Sequence, residues 1–251
     1  MQRAVAIITL QRPDQLNAID AQTVKDLDAT VARIADDDTV RAVVITGEGK
    51  AFSAGADIKE FSELATADDF RAFLHDLERA FRRLELLAQP SVAAVNGIAF
   101  GGGLELAMAC DLRVADARAR FAVPEIKLGI VPGAGGTQRL PRLVPKAVAT
   151  QMLLTGDPVD AAEALRIGLV NELVTDRPVV ERAVELATTL ASRAPLAVAA
   201  VKRLLDALVD TGLEAGLELE RDASATLFGT DDRREGTAAF AEKRDPTFEG
   251  R

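Results

Sequence analysis

The sequence predicts an α/β fold over residues 1–170 followed by a helical region over 171–251. Three observations carry that prediction. Short apolar runs rich in β-branched residues, AVAIITL at 4–10, RAVVIT at 41–46 and SVAAV at 91–95, read as buried strands. The stretches between the first three runs place apolar residues at helical spacing. Beyond Pro145 nearly every segment has the helical pattern, with one extended piece at 169–174. Strands that alternate with helices are best served by a sheet with helices packed on it.

In chain order, the first strand ends at Arg12-Pro13-Asp14, where proline offers no amide to a ladder. Asp20 is placed to cap a helix over 21–35, whose Val24, Leu27, Val31 and Ile34 share one face. Asp36-Asp37-Asp38 makes a solvated acidic turn before the second strand. A turn at 47–50 leads to AFSAGAD at 51–57, in which Ser53 to Ala56 are all small. Such a loop admits either a bulky group lying against the backbone or a crowded turn. A long amphipathic helix is predicted over 66–87, with Phe70, Phe73, Leu74, Leu77, Phe81 and Leu84 on one side and Pro90 beyond its end. Strands follow at 91–95 and 111–115, then a short extended piece at 120–123. Residues 133–136 form a glycine turn and 137–143 a helix. Further helices are predicted over 146–154, 160–167, 178–193, 195–209, 213–228 and 231–242, with an irregular tail at 246–251.

Composition narrows the function. Of the 251 residues, 48% are hydrophobic, enough for a sizeable core. The net charge is −9 with no basic block, which argues against nucleic acid as a partner. An anionic substrate must then be met by local lysines or arginines. Cys110 is the only cysteine, which excludes an internal disulfide or a cysteine metal cluster, and it reads as a small core residue. His75 is the only histidine and reads as a surface residue. One histidine excludes a multi-histidine zinc site, and without a G-x-S-x-G motif there is no support for a Ser-His-Asp hydrolase. The sequence shows no signal-peptide pattern and no apolar run long enough for a membrane helix, so a cytoplasmic protein is expected.

The chemistry concentrates at 95–139. Gly101-Gly102-Gly103 opens an apolar helical run over 104–110. Glycines at a helix start let a ligand approach the backbone. The first helix amides have no internal partner and carry the positive end of the dipole. These amides suit an oxygen that gains negative charge; the same glycines also suit a tight turn with close packing. Glu105 is the one acid in the run. Burial of a carboxylate costs free energy unless it is paired, and it raises proton affinity towards the range useful for acid–base chemistry. Glu105 is therefore either a structural ion-pair partner, with Arg113 the nearest candidate, or a proton-transfer group. Glu125 follows behind Pro124, which fixes its approach.

Six segments in order, LQRPDQLNAID, AFSAGADIKE, VNGIAFGGGLELAMACD, PEIKLGIVPGAGGTQRLPRLV, LTGDPVDAAEALRIGLVNEL and FAEKRDPTFEGR, make the chain resemble the enoyl-CoA hydratase/isomerase (crotonase) family over nearly its whole length. The resemblance implies a crotonase-like spiral of ββα turns as catalytic core over 1–170, with a C-terminal helical trimerisation region over 171–251. It implies that the Ala56 and Gly102 amides form an oxyanion hole for a thioester carbonyl. It puts the Ala54 carbonyl against the adenine of coenzyme A, and Lys50 and Lys59 near its phosphates, against the plain alternative of two surface lysines. Asp57 reads as structural. Typical hydratases of the family carry glutamates at the positions of Glu105 and Glu125, whereas many isomerases and dehalogenases lack one or both. Having both implies hydration of a 2-enoyl-CoA to the 3-hydroxyacyl-CoA, with Glu105 as base towards water and Glu125 as acid at C2. Coenzyme A arrives as part of the acyl-CoA substrate, so no metal and no separate cofactor are implied. The alternatives are an enoyl-CoA isomerase, a 3-methylglutaconyl-CoA hydratase, or a non-catalytic acyl-CoA- or RNA-binding protein. Against the last stand the retained glutamates, the acidic charge and the absence of Tyr and Trp. A homotrimer or a dimer of trimers is expected, because Leu204, Leu208, Leu217 and Phe228 exceed what a thin helical layer covers. Acyl-chain selectivity is expected to reside in the helix at 66–87 and the region 129–132.

Overall fold

The computed structural model describes residues 4–251. Strands β1 (Val5–Leu10), β2 (Ala42–Gly47), β4 (Ser91–Val95), β6 (Leu112–Asp116) and β9 (Glu172–Val174) form a parallel five-stranded sheet in that order. β2 and β4 are buried along their whole length, which is why they are apolar throughout instead of alternating. Their two faces still obey the period of two. Val43, Ile45, Ala93 and Val95 join the larger core, while Ala42, Val44, Val92 and Ala94 meet a second, smaller one.

Three much shorter strands, β3 (Ala51–Ser53), β5 (Ile98–Phe100) and β7 (Arg120–Ala122), pair in parallel in another sheet, with β8 (Val159–Asp160) antiparallel at its edge. Each follows a long strand within a few residues: β2 then β3, β4 then β5, β6 then β7. Each of these three turns lays one strand in each sheet and then adds helix, which is the expected ββα spiral. Of the short strands, β7 is the extended piece expected at 120–123, whereas β3, β5 and β8 escaped the sequence reading, as did helix α2 (Ile58–Glu63). Three residues are too few to display a period, and Ile98 is extended because it pairs with both Ala51 and Arg120.

The helices after each strand pair bring the site together. α1 (Ala21–Ala35) starts where predicted, with the Thr23 amide donating to Asp20 at 2.7 Å. α3 (Ala67–Glu85) is opened by a capping box between Thr66 and Asp69. Its Leu77, Phe81 and Leu84 are buried against the core, whereas Phe70, Phe73 and Leu74 on the same face are half-buried. α4 (Gly102–Met108) follows β5; a 3-10 turn (Pro124–Leu128), α5 (Gly136–Leu143), α6 (Lys146–Thr155) and α7 (Ala161–Arg166) follow β7.

Beyond residue 170 the chain first completes the spiral. β9 pairs with β6, and α8 (Val179–Ala191) covers the second face of the large sheet through Val179, Ala183 and Ala187. α9 (Pro195–Ala207) is tied back by Lys202, which donates to Asp111 at 2.6 Å and to the Gln89 carbonyl at 2.9 Å. α10 (Leu213–Phe228) buries none of its residues and leaves Leu213, Leu217 and Phe228 exposed. α11 (Asp231–Glu242) holds the irregular tail, because the buried Asp232 accepts from the amides of Glu249 and Gly250. Among the described residues no single helix is long and apolar enough to cross a membrane.

Candidate active site

The loop after β3 runs beside the β1–α1 connection. Ile19 donates to the Gly55 carbonyl (2.8 Å) and accepts from the Asp57 amide (2.9 Å), an isolated parallel bridge opposite Ala56. In such a bridge the middle residue turns its own N–H away from the partner strand. The Ala56 amide accordingly has no acceptor among the described residues, and neither has the Gly102 amide at the start of α4. The two loops touch: a Cβ on Gly102 would lie 3.5 Å from the Ala56 nitrogen, and one on Gly55 would lie 3.3 Å from the Gly102 nitrogen. The glycine triplet therefore meets three separate demands. Gly101 takes φ +51°, Gly102 presents a free amide, and Gly103 lets α4 close onto β3, where a side chain would come within 2.5 Å of the Ser53 carbonyl oxygen.

Glu105 lies one turn into α4, 2% exposed. Its Oε1 accepts from the amides of Ala134 (2.9 Å) and Gly136 (2.6 Å). The structural pairing with Arg113 does not occur: Arg113 donates instead to the carbonyls of Leu169 and Cys110, both at 2.7 Å. Burial drives the Glu105 carboxyl above the usual range, opposed by the two amides and by the charge of Arg139. The turn at 133–136 thus supplies the two donors that hold Glu105. The sequence showed the glycines but not what their amides would face.

Glu125 projects from the 3-10 turn behind Pro124. Its Oε1 rests over Gly101, where a Cβ would sit 2.7 Å away, and its Oε2 is buried with no hydrogen-bond partner. The Glu105 amide donates to the Gly101 carbonyl, so one glycine touches both acids. Burial, reinforced by the Glu105 charge, pushes Glu125 up to about 7, against a smaller opposing effect of its own amide. One carboxyl is held by two donors from another turn and the other has an oxygen with none, and such contrast separates base from acid.

A groove of about 700 Å³ runs past Ala54, Ala56, Asp57 and Lys59. Lys59 is exposed on it, while Lys50 is exposed on the β2–β3 turn and does not line it. Asp57 caps α2 and pairs with Arg12 at 2.9 Å. Its partial burial works against ionisation, yet the Arg12 hydrogen bond and charge hold the carboxyl below its ordinary value. His75 is exposed, on a different groove along α3 that holds neither glutamate. Cys110 is buried, and burial pushes its thiol up to about 12.

Two free amides side by side, next to one partnered and one unpartnered carboxyl, define a site suited to reactions in which an oxygen gains charge while a proton moves. The family model for enoyl-CoA hydratase/isomerase matches residues 1–251, and the chain belongs to that family. It is 45% identical to the short-chain-enoyl-CoA hydratase of Clostridium acetobutylicum over 96% of this chain and 92% of that one. It is 42% identical to the 2,3-dehydroadipyl-CoA hydratase of Escherichia coli over 100% and 97%. The crystal structure of an enoyl-CoA hydratase from Bacillus anthracis matches with a TM-score of 0.96 at 38% identity, covering 99% of this chain and 96% of that one. The crotonase-like fold expected from the sequence is the one found.

Proposed function

We propose that the protein is an enoyl-CoA hydratase, adding water across the 2,3 double bond of a 2-enoyl-CoA thioester to give the 3-hydroxyacyl-CoA. The observation that carries this reading is the pair of unequally held carboxyls beside the two free amides. The thioester oxygen takes the N–H groups of Ala56 and Gly102. Glu105, ionised with the help of its donors, accepts a proton from water as the water oxygen bonds to C3. The π electrons move onto the thioester, and the amides stabilise the enolate oxygen. Glu125, whose proton affinity sits near neutrality, delivers a proton to C2 as the enolate collapses. One proton taken and one given balance over the cycle, and no redox partner enters. The coenzyme A portion lies along the groove, with its adenine at the Ala54 carbonyl and its phosphates towards Lys59 and Lys50. The exposed apolar face of α9 and α10 is assigned to a homotrimer or a dimer of trimers, and the protein to the cytoplasm.

The test is steady-state hydration of crotonyl-CoA by Glu105→Gln, Glu125→Gln and the double variant, with coenzyme A affinity measured separately. Each single change should lower turnover by roughly 10²–10⁴, and the double should cost far less than the product of the two. Binding should survive. A folded Glu125→Gln protein with full activity overturns this mechanism; lost hydration with retained isomerisation in Glu105→Gln would move the assignment to an isomerase. A panel running from crotonyl-CoA to longer, branched and dicarboxylic enoyl-CoAs fixes the acyl group.

A further inference from the structure

Arg139 on α5 lies directly behind the turn that holds Glu105. Its Nη1 donates to the Ala134 carbonyl at 2.7 Å, and its Nε and Nη2 fork onto the two oxygens of Glu85 at 3.1 and 2.9 Å. The peptide carrying that carbonyl stands between the two peptides whose amides bind Glu105. Gly135, at φ +103°, has no room for a side chain because a Cβ would run into Nη1 of Arg139. A Cβ on Gly136 would lie 3.0 Å from Oε1 of Glu105. Gly135 thus leaves room for the guanidinium, and Gly136 for the carboxylate and for Pro132, whose Cβ lies 2.7 Å from where a Gly136 Cβ would sit. Glu85 ends α3 and also takes Arg82 (2.9 Å), which reaches Asp206 on α9 at 2.7 Å.

We infer that Arg139, clamped by Glu85, is a positioning residue for Glu105: it fixes the Ala134–Gly136 turn so that both amides meet the carboxylate. The inference rests on Glu105 being the base of the hydration. The guanidinium fork is suited to the task, since it binds a carboxylate with two donors and leaves a third for the carbonyl. Its charge also favours the ionised form of Glu105, whose own charge in turn disfavours ionisation of Glu125. Arg113 serves the far end of α4.

The test uses the Glu85→Gln/Arg139→Gln double variant, which removes both charges and leaves no lone ion in a half-buried site, together with Arg139→Lys and Glu105→Gln. Each is measured for hydration of crotonyl-CoA across pH, with folding checked by thermal unfolding. In the double variant turnover should fall, and the acid limb of the profile should move to higher pH by about one unit, equal to a tenfold loss on the acid side. Arg139→Lys should lose rate yet keep its limb near the original, because the charge remains. A folded double variant with unchanged rate and limb overturns the inference while Glu105→Gln is crippled. If Glu105→Gln is itself fully active, the catalytic role of Glu105 has failed, and the positioning role with it. Should the double variant not fold, an Arg139→Lys protein with unaltered rate overturns the inference.

Discussion

Oε2 of Glu125 is a buried acceptor without a donor, and this single atom has consequences for stability as well as catalysis. Burial raises the carboxyl to about 7 in the folded chain from its ordinary 4.5. The folded state therefore holds this proton more tightly than the unfolded state. That stabilisation is complete below the unfolded value and is lost as pH rises through the folded one. Glu125→Gln, which cannot ionise, should accordingly be more stable than the parent at pH 8, by roughly 1–3 kcal/mol after allowance for partial exposure. The difference should vanish near pH 4, as thermal melts at the two pH values would show. The gain belongs with the loss of activity expected for the same change. Gly102 is a cleaner probe of the oxyanion site. It is the first residue of α4, a position where proline is tolerated in a helix, although the ring that removes the amide also adds a Cβ 3.5 Å from the Ala56 nitrogen, so the variant must be shown to be folded. Gly102→Pro should keep the helix and lower turnover by roughly 10²–10³, the usual cost of one oxyanion donor. A folded variant with parental turnover would reduce Gly102 to a turn residue.

α3 divides at Leu77. Its C-terminal half packs on α1 and ends in Glu85, so the helix that stabilises the core also reaches the glutamate turn. Phe81 is wholly buried there, and Phe81→Ala should lower unfolding free energy by about 3–5 kcal/mol, read from a denaturant midpoint. The N-terminal half keeps Phe70, Phe73 and Leu74 only half-covered. Leu74 crowds Gly133, where a Cβ would come 2.5 Å from Cδ2. This apolar side, facing the loop that carries the Glu105 donors, is where the acyl tail is expected to lie. Leu74→Ala should raise kcat/KM for longer enoyl-CoAs relative to crotonyl-CoA; an unchanged chain-length ratio would place the tail elsewhere.

On the scale of the whole molecule the exposed apolar residues cluster late in the chain. Leu205, Leu208, Leu213, Leu217 and Phe228 are all more than a third exposed, on helices that give the core little. Large apolar side chains exposed in such number on neighbouring helices are what a partner surface would cover. Light scattering at micromolar concentration should give the mass of three or six chains. Leu217→Asp with Phe228→Asp should shift the protein towards monomer, since a buried unpaired carboxylate opposes association. A parent protein that is monomeric would remove the trimer from the proposal.

The sequence by itself determined which segments form most elements and which residues are candidates to carry the chemistry. Apolar runs of β-branched residues can bury two faces only as central strands, and Asp20 caps α1 because the capping bond is made within one turn of chain. Glu105 and Glu125 were visible because acids in apolar surroundings are costly and so need a reason. The family motifs added the amides of Ala56 and Gly102 as the proposed oxyanion donors. Only the tertiary structure decided how those pieces meet. It sent Arg113 to backbone carbonyls instead of Glu105, and it brought the Ala134 and Gly136 amides onto that carboxylate from a turn far along the chain. It also left Oε2 of Glu125 unpartnered, and it drew α8 into the spiral although the helix lies beyond residue 170. The physical reason is that caps and periodicities are local, whereas backbone amides carry no side-chain signature and find their acceptors only when distant segments pack.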